Sequence, residues 1–342
     1  MPALRVGTGT DTFTVRLAEA LREQGIEVSL QWFPASWEYL PWRGRVRPPP
    51  GCDLVHANTW HATAFAADLP LVTTVHICVH DPLLSAYRTG AQKVYHRCWI
   101  KAQEQAALQR SAAVTMVSRY TRARVIEAFG TFLEPKSQVI HNWVDTEVFT
   151  PSVSPRDEHR PFRLLFVGNP SLRKGFDLLP GLMRRLGDEF ELLYTEGHAD
   201  GPGQRMAPAN MRAVPRLSDE NLMAKLYRDC DALLFPSRLE GFGYATLEAQ
   251  ACGLPVIAFD TSSTPEIVIN GETGMLLALD DVDGLERACR RLQADRPFRR
   301  RLSQAARQNA EAVFRKEDLV ARYIEVYRKA SRGQGQGDEQ VS

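Results

Sequence analysis

The sequence predicts an α/β fold with two doubly wound domains, each built on a parallel sheet. Short apolar runs alternate with amphipathic stretches of helical period along the chain, a pattern that favours parallel strands covered by helices. The chain has 342 residues, which is more than one hydrophobic core usually holds. Near its middle lies Thr150–Pro161, a proline-rich and charged segment without apolar periodicity, which is typical of a linker.

The individual elements follow from these patterns. Strands in the first half are predicted at Glu27–Trp32, Asp53–Ala57, Leu71–His76, Ala113–Ser118 and Gln138–His141. Strands in the second half are predicted at Arg163–Gly168, Glu191–Thr195, Ala232–Pro236, Pro255–Phe259 and Met275–Leu277. Helices are predicted at Phe13–Gln24, Thr121–Phe129, Asp219–Cys230 and Asp281–Ala294. The strand that precedes the first helix, Ala3–Val6, is unusually short.

The expected domains are residues 1–150 and 162–315, joined by a linker at 151–161. An amphipathic stretch, Lys316–Ala330, predicts a last helix, and the polar, glycine-rich residues 331–342 are predicted to be disordered. Open parallel sheets bind ligands beyond the carboxyl ends of their strands. Two such domains imply a cleft between them, so the residues after each strand are the candidates for a site.

Composition narrows the class of protein. Apolar residues make up 44% and charged residues 24% of the chain, as in soluble globular proteins, and the net charge of +1 gives no reason to expect a nucleic acid partner. No apolar run approaches the ~18 residues of a spanning helix, and the N-terminus has no signal peptide pattern. The six cysteines show neither disulfide nor metal spacing. We therefore expect a cytoplasmic protein with reduced thiols.

Two glutamates bracket a glycine-rich turn in "RLEGFGYATLEAQACGLPVIA", which runs from Arg238 to Ala258. Glu240 lies in the loop after a predicted strand, and Glu248 lies about one turn into the helix that begins near Tyr244. The first N–H groups of a helix form an anion site, and carboxylates on either side suit pairs of hydroxyls. Phosphate and hydroxyls together indicate a nucleotide sugar. The alternative is a capped helix with two surface glutamates.

Two further strand ends carry candidate groups. In "VGNPSLRKGFD", Arg173 and Lys174 precede a helix predicted from Phe176, where two cations could clamp a diphosphate. The alternative is an ordinary basic loop. "VTTVHICVHD" ends a strand with His76, and His80 and Asp81 follow as unranked helpers. A metal ion held by His76 and His80 is the weaker alternative to a sugar-facing histidine.

The quoted glutamates and their surroundings resemble a known family. "EGFGYATLE" is similar to the E-x7-E motif of retaining glycosyltransferases of glycosyltransferase family 4, which have the GT-B fold of two facing Rossmann-like domains. The resemblance covers most of the chain from about Asp53 to Leu277. It extends to "DLVHANTWHATA", "VSRYTRARVIEAFG", "VIHNWVDTEVFTP", "LLFVGNPSLRKGFDLL" and "TPEIVINGETGMLL".

The resemblance implies roles for single residues around the glutamates. Glu248 matches the glutamate that binds the donor ribose, and Glu240 the one beside the transferred sugar. Lys174 matches the lysine of the family's R…KG pattern. Backbone contacts to the sugar or the diphosphate are implied for Gly241, Phe242, Gly243, Thr246 and Leu247.

Other matches are partial. His76 matches a histidine that faces the donor sugar, and Gly9 lies in a glycine loop that contacts donor phosphate. Asn169 stands where the family usually has an arginine, and Arg173 is the candidate to take its place. Trp143 replaces a common glycine, either shaping the cleft or packing at a hinge. The resemblance also implies that the last helix packs back on the first domain.

The resemblance further implies a nucleoside-diphosphate sugar as donor, with no metal ion and no other cofactor. All six tryptophans lie in the half that binds acceptor in the family. Aromatic residues mixed with Arg43, Arg45 and Arg47 suit a glycan or lipid-linked acceptor with a peripheral membrane contact, or a proline-rich surface loop. Base contacts in the family come from backbone near Ala213–Leu217, so the sequence does not encode the base.

These observations favour a metal-independent retaining glycosyltransferase that moves a sugar from a nucleoside diphosphate to a hydroxyl. Among other enzymes, a phosphorylase or a nucleotide-sugar epimerase of the same fold is a rival. A non-catalytic sensor or scaffold that binds nucleotide sugars is the rival outside enzymes, because Asn169 and the short first strand depart from the family's pattern. A dinucleotide dehydrogenase is disfavoured, since no GxGxxG lies between a strand and a helix.

Overall fold

The computed structural model describes residues 1–5, 9–34, 37, 47–60, 62, 69–152, 160–197 and 207–335. The chain divides into two compact units, one formed by Met1–Asn142 with Lys316–Ser342 and the other by Trp143–Arg315. In the described part of the chain, no helix is both long enough and apolar enough to cross a membrane.

The strands and helices are numbered in chain order. The strands are β1 (Pro2–Arg5), β2 (Gln31–Pro34), β3 (Val55–Asn58), β4 (Leu71–Val75), β5 (Ala113–Met116), β6 (Ser137–Val139), β7 (Phe162–Phe166), β8 (Phe190–Thr195), β9 (Met211–Val214), β10 (Ala232–Phe235), β11 (Val256–Phe259) and β12 (Gly274–Leu277). The helices are α1 (Gly9–Glu23), α2 (Pro82–Ser85), α3 (Gly90–Tyr95), α4 (Lys101–Arg110), α5 (Arg119–Phe129), α6 (Leu179–Leu186), α7 (Glu220–Arg228), α8 (Tyr244–Ala251), α9 (Val282–Ala294), α10 (Arg296–Val313) and α11 (Lys316–Gly335).

The first unit is a parallel α/β unit. Strands β3, β4, β5 and β6 pair in that order, all parallel, and β1 pairs parallel with β2. The central strand β4 is buried along its whole length, which explains why its sequence reads as a continuous apolar and threonine run. The carboxyl ends of β3, β4 and β5 meet at one edge, where Asn58 and His76 lie.

Helix α11 belongs to the first unit, although it is last in the sequence. Tyr323 and Tyr327 are buried on it. The Tyr327 hydroxyl lies 2.6 Å from Nδ1 of His56, whose Nε2 lies 2.7 Å from the Thr74 hydroxyl on β4. Lys316 adds an ion pair of 2.7 Å to Glu23 at the end of α1. A buried polar chain therefore joins this helix to the sheet.

The second unit contains a six-stranded parallel sheet in the order β12-β11-β10-β7-β8-β9. The chain starts in the middle with β7, builds β8 and β9 to one side, and returns to build β10, β11 and β12 on the other. Strands β7 and β10 are neighbours whose connections leave in opposite directions, which is the switch point where open sheets form a binding crevice. The parallel doubly wound architecture predicted from the sequence is confirmed in this unit.

The border between the units differs from the expected one. The sequence predicts that residues up to 150 belong to the first domain, but the second unit begins at Trp143. Burial explains the difference, because Trp143 and Phe149 are both buried and the Phe149 ring packs edge-on against Tyr227. Arg307 of α10 also donates to the carbonyl of Phe149 at 2.7 Å. The segment before the predicted linker is thus part of the second unit.

The ends of other helices and strands also differ from the predicted ones. Helix α11 continues to Gly335, five residues into the predicted disordered tail, because adding residues to an existing helix costs little. Strand β2 begins at Gln31, later than predicted. Strand β9, Met211–Val214, carries two exposed positions at the sheet edge, and its weak apolar pattern predicts no strand.

Candidate active site

The loops after β7 and β10 touch each other at the switch point. Gly175 has φ +69°, and a Cβ at this position would lie 2.0 Å from the carbonyl oxygen of Pro236. Only glycine allows both this conformation and this approach. The Arg238 N–H donates to the carbonyl of Arg173 at 2.8 Å, and Nη1 of Arg173 donates to the carbonyl of Leu239 at 2.6 Å. The two loops are therefore joined by reciprocal hydrogen bonds.

A buried carboxylate lies at this junction. Glu240 is 7% exposed, and its Oε1 accepts a hydrogen bond from the ammonium of Lys174. The Ser237 hydroxyl donates to the same oxygen at 2.5 Å, and Nη1 of Arg173 is 3.5 Å away. The structure thus brings together three residues that the sequence singled out, Glu240, Arg173 and Lys174, and adds Ser237.

The surroundings of Glu240 and Lys174 favour the ionised form of both side chains. Burial by itself raises the pKa of Glu240, but the charges of Lys174 and Arg173 outweigh it and hold that pKa below its usual range. Burial lowers the pKa of Lys174, and the Glu240 carboxylate opposes this shift. The Lys174 ammonium also lies 5.2 Å from the centre of the Phe235 ring, an additional cation–π contact.

Two serines after β11 fix the turn that carries Glu240. The Glu240 N–H donates to Ser262 Oγ at 3.0 Å. The Ser263 hydroxyl is buried and lies 3.1 Å from the carbonyl of Glu240 and 2.9 Å from that of Phe242. Ser262 has φ +51°, a left-handed conformation that a residue with a side chain adopts at a cost. Three strand ends therefore converge on this turn.

Helix α8 begins directly after the turn. Gly243 is its N-cap residue in a left-handed conformation, φ +104°. Thr246 is buried and directs both its hydroxyl, at 2.7 Å, and its N–H, at 3.0 Å, to the carbonyl of Gly243. The Leu247 side chain is fully buried, so only its backbone can meet a ligand. Gly241 and Phe242 are also buried, and the Phe242 ring packs edge-on against Tyr244.

The second glutamate lies one turn into α8. Glu248 is partly exposed, and its Oε2 accepts a hydrogen bond of 3.0 Å from the hydroxyl of Tyr227 on α7. The Tyr227 ring is fully buried, so its hydroxyl is a fixed donor. This contact orients the Glu248 carboxylate at the start of the helix.

Asn169 follows β7 and is exposed. A Cβ at Gly197, after β8, would lie 1.9 Å from Asn169 Oδ1, so the amide occupies the space that a side chain at Gly197 would need. Gly168 donates its N–H to Thr195 Oγ1 at 2.9 Å. Asn169 thus lies on the β8 side of the β7 loop, while Lys174 lies on the β10 side.

The remaining predicted residues lie in the first unit. His76 follows β4, with Nε2 3.0 Å from Asn58 Oδ1 and its ring edge-on to Phe13 at 4.7 Å between centres. Burial lowers the pKa of His76 to about 3, so its imidazole is neutral at physiological pH. Gly9 is the exposed first residue of α1.

His80 and Asp81 have structural partners. His80 Nε2 lies 2.8 Å from Oε2 of the buried Glu104, and Asp81 caps α2 and accepts a hydrogen bond from the Tyr120 hydroxyl. In the described ranges, no group of three or more His, Cys, Asp or Glu residues could hold a metal ion. Arg43 and Arg45 lie outside the described residues, and Arg47 is exposed.

Sequence reasoning missed several contributors. Ser262 and Ser263 follow a predicted strand, so the strand-end rule applied to Pro255–Phe259 would have found them. Ser237 and Arg238 lie inside the loop already recognised, but the sequence predicts no role for either of them. Tyr227 gives no signal in the sequence, because its link to Glu248 depends on how α7 packs beside α8.

Two family models match the chain in turn. The model described as Glycosyltransferase Family 4 matches residues 30–148, and the one described as Glycosyl transferases group 1 matches residues 203–309. The glycogen synthase of Mycobacterium tuberculosis is 29% identical over 345 residues, which cover 96% of this chain and 78% of that protein.

Solved structures share the fold. A sucrose-phosphate synthase from Thermosynechococcus elongatus superposes with a TM-score of 0.78 at 21% identity, covering 96% of this chain and 95% of that one. Anabaena HepE, in complex with UDP and glucose, gives 0.72 at 16% identity, covering 95% and 98%. The chain therefore belongs to the group 1 glycosyltransferases, enzymes of the GT-B fold.

Proposed function

We propose that this glycosyltransferase transfers a sugar from a nucleoside diphosphate to a hydroxyl of a glycan, a lipid-linked or a small-molecule acceptor, with retention of anomeric configuration and without a metal ion. The observation that carries the proposal is the junction of the β7 and β10 loops. There Glu240 meets Lys174 and Arg173 immediately before α8, and Glu248 follows one turn later.

The cations suit the diphosphate of the donor. Arg173 and Lys174 are adjacent, and the N-terminus of α8 adds the partial positive charge of a helix end. Negative charge grows on the leaving diphosphate as the sugar departs, so cations fixed beforehand stabilise the transition state. In this role they replace the metal ion that many phosphate sites use.

The glutamates suit the sugar and the ribose. Both donors to Glu240 use Oε1, and no donor among the described residues is bonded to Oε2. In this proposal Oε2 accepts hydrogen bonds from sugar hydroxyls. The Tyr227 hydroxyl orients the Glu248 carboxylate, which in this proposal accepts hydrogen bonds from the ribose hydroxyls. Carboxylates make charge-assisted bonds to hydroxyls, which are the stronger class.

The state of Glu240 bears on the route by which the proposed retention is achieved. Its paired, hydrogen-bonded carboxylate is a weak nucleophile, so we propose no covalent sugar–enzyme intermediate. The bond between the anomeric carbon and the phosphate oxygen breaks, the acceptor oxygen bonds to that carbon on the same face, and its proton passes to the departing phosphate oxygen. Nuclear magnetic resonance of the product's anomeric proton tests this, and an inverted product would refute it.

The relatives suggest substrates. HepE was crystallised with UDP and glucose, which makes a UDP-sugar the first donor to test. The glycogen synthase relative supports a glycan acceptor. Neither likeness favours the non-catalytic sensor.

The first experiment measures thermal unfolding with UDP-, GDP-, dTDP- and ADP-sugars, each with and without EDTA. A ligand at a hundred times its dissociation constant contributes about 2.7 kcal/mol, so the midpoint should rise by several degrees with one nucleotide sugar. EDTA should not change that shift. The control is the double variant Lys174→Met/Glu240→Gln, which should lose it.

A shift that EDTA abolishes would contradict the metal-free proposal. No shift with any nucleotide sugar would contradict the donor assignment. Binding without turnover across a panel of acceptors would favour the sensor instead.

A further inference from the structure

Arg238 connects three loops around the candidate site. Its guanidinium makes a two-fold contact with Asp177, Nη1 to Oδ1 at 2.8 Å and Nη2 to Oδ2 at 2.9 Å. Nη1 also donates to the carbonyl of Leu172, and Nε donates to Asp280 Oδ1 at 2.6 Å. The Arg238 side chain is 11% exposed, whereas the Asp177 and Asp280 side chains are 29% and 49% exposed.

These contacts hold the loop that carries Arg173 and Lys174 at both of its ends. Leu172 and Asp177 flank Lys174 in the sequence, and the Arg238 N–H holds the carbonyl of Arg173 between them. Arg238 itself is two residues before Glu240. One residue therefore fixes the backbone that carries Arg173 and Lys174 relative to the backbone that carries Glu240.

The third loop is held in a strained conformation. Asp280 has φ +61°, a left-handed conformation that a residue with a side chain adopts at a cost and keeps when its surroundings impose it. Its carboxylate accepts the Arg238 Nε bond and its carbonyl accepts the Val282 N–H at 2.9 Å. Arg238 is thus one of the contacts that maintain this loop after β12.

Charge argues against a direct role in binding phosphate. Two carboxylates, Asp177 and Asp280, surround the single guanidinium, so the cluster adds no net positive charge for a diphosphate. Its contribution is the geometry of the loops. A clamp of two cations needs such fixed geometry, because a displacement of about 1 Å weakens transition-state contacts strongly.

We infer that Arg238 is a positioning residue of the transferase: it sets the spacing between Glu240 and the Arg173–Lys174 pair, and thereby donor affinity and turnover, without touching the donor. This inference rests on the proposed nucleotide-sugar function. The spacing that Arg238 sets also determines the Lys174–Glu240 ion pair, an interaction within the protein itself.

The first test compares Arg238→Lys, Arg238→Ala and the control Arg163→Ala. Arg163 is a comparable arginine of the same unit, 22% exposed and bonded to Glu191 at 2.7 Å, but it lies near the amino end of β7. Calorimetry with UDP, GDP, dTDP and ADP measures dissociation constants well below the unfolding temperature of each variant.

Arg238→Lys should weaken binding of the nucleotide that the parent protein accepts by about tenfold or more and should lower kcat with a sugar donor. Lysine keeps the charge but cannot span two carboxylates. Arg163→Ala should lower the unfolding temperature and leave nucleotide affinity within about twofold. Unchanged affinity in Arg238→Lys, or an equal loss in Arg163→Ala, would overturn the inference.

A second measurement does not depend on nucleotide binding. The coupling energy between Lys174→Met and Glu240→Gln in urea unfolding is measured in the parent protein and in the Arg238→Lys background. The coupling should fall in the variant background, and an unchanged coupling would refute the positioning role. If no nucleotide binds the parent protein, the proposed function fails, while this cycle still decides on Arg238.

Discussion

Lys174 and Glu240 are 66 residues apart in the sequence and form one buried ion pair in the second unit. Removing one partner leaves the other charge buried, which typically costs about 3–5 kcal/mol. We expect Lys174→Met to lower the free energy of unfolding by an amount in this range, toward its lower end because Arg173 remains 3.5 Å from the carboxylate. Urea unfolding followed by circular dichroism measures it.

The matched control is the double variant Lys174→Met/Glu240→Gln. It removes both charges and should be more stable than Lys174→Met alone, because no unpaired carboxylate remains. A double variant that is less stable than either single variant would show that the pair is not the main interaction at this junction.

Two histidines of the first unit predict a loss of stability in acid. Burial lowers the pKa of His56 and of His76 to about 3, below the value near 6.5 of an unfolded chain. Between pH 6.5 and 3 the unfolded state therefore binds more protons, and the free energy of unfolding falls as pH falls. Each histidine contributes a slope of about 1.4 kcal/mol per pH unit, and neither contributes above pH 7.

The variant His56→Gln tests this assignment. Glutamine keeps groups that can bond Tyr327 and Thr74 but does not titrate, so the acid slope of the first unit should fall by about 1.4 kcal/mol per pH unit. Urea unfolding at pH 4.5, 5.5 and 7.5 measures the slope. An equal slope in the parent protein and the variant would show that other groups control the acid transition.

The contact between the β7 and β10 loops makes Gly175 sensitive to substitution. Gly175→Ala combines left-handed strain with a Cβ 2.0 Å from the carbonyl oxygen of Pro236, so we expect a loss of more than about 3 kcal/mol. Gly271 has a similar φ of +77° with nothing within 4 Å of its Cβ position. Gly271→Ala should cost only about 1–2 kcal/mol. Equal losses in urea unfolding would mean that the clash is relieved by a shift of the loops.

The proposed role of Glu248 predicts a specific loss of nucleotide affinity. Under that proposal, Glu248→Ala removes charge-assisted hydrogen bonds to the ribose, each worth roughly 1.5–3 kcal/mol, so the dissociation constant should rise at least about tenfold by calorimetry. Tyr227→Phe removes only the hydroxyl that orients this carboxylate, and it should have a smaller effect. Unaltered binding in Glu248→Ala would refute its assignment.

The sequence alone was sufficient to predict the parallel architecture and the sheet edge at which Glu240 and Lys174 lie. Hydrophobic periodicity and apolar runs predict most of the strands. Because the carboxyl ends of parallel strands lie at one edge of a sheet, the loops that carry Glu240 and Lys174 are expected at the same edge. That rule works because β7 and β10 are adjacent at the switch point.

Other features were not predictable from local patterns. Edge strand β9 has too few apolar residues to be recognised, and only its pairing with β8 makes it a strand. The contacts of Ser263 and Arg238 depend on loops brought together by tertiary packing, which no spacing in the sequence encodes. The border at Trp143 depends likewise on which unit buries an aromatic side chain.

Helix α11 belongs to the first unit but is translated last, and this has a consequence for synthesis on the ribosome. Trp143–Arg315 is continuous in the sequence and can fold as soon as it emerges, whereas the unit that is translated first lacks its closing helix until the end. At usual elongation rates this interval lasts roughly ten to thirty-five seconds. The half that begins the chain is thus the last to be completed, and until then the polar groups that meet Tyr327 remain open to water and to chaperones.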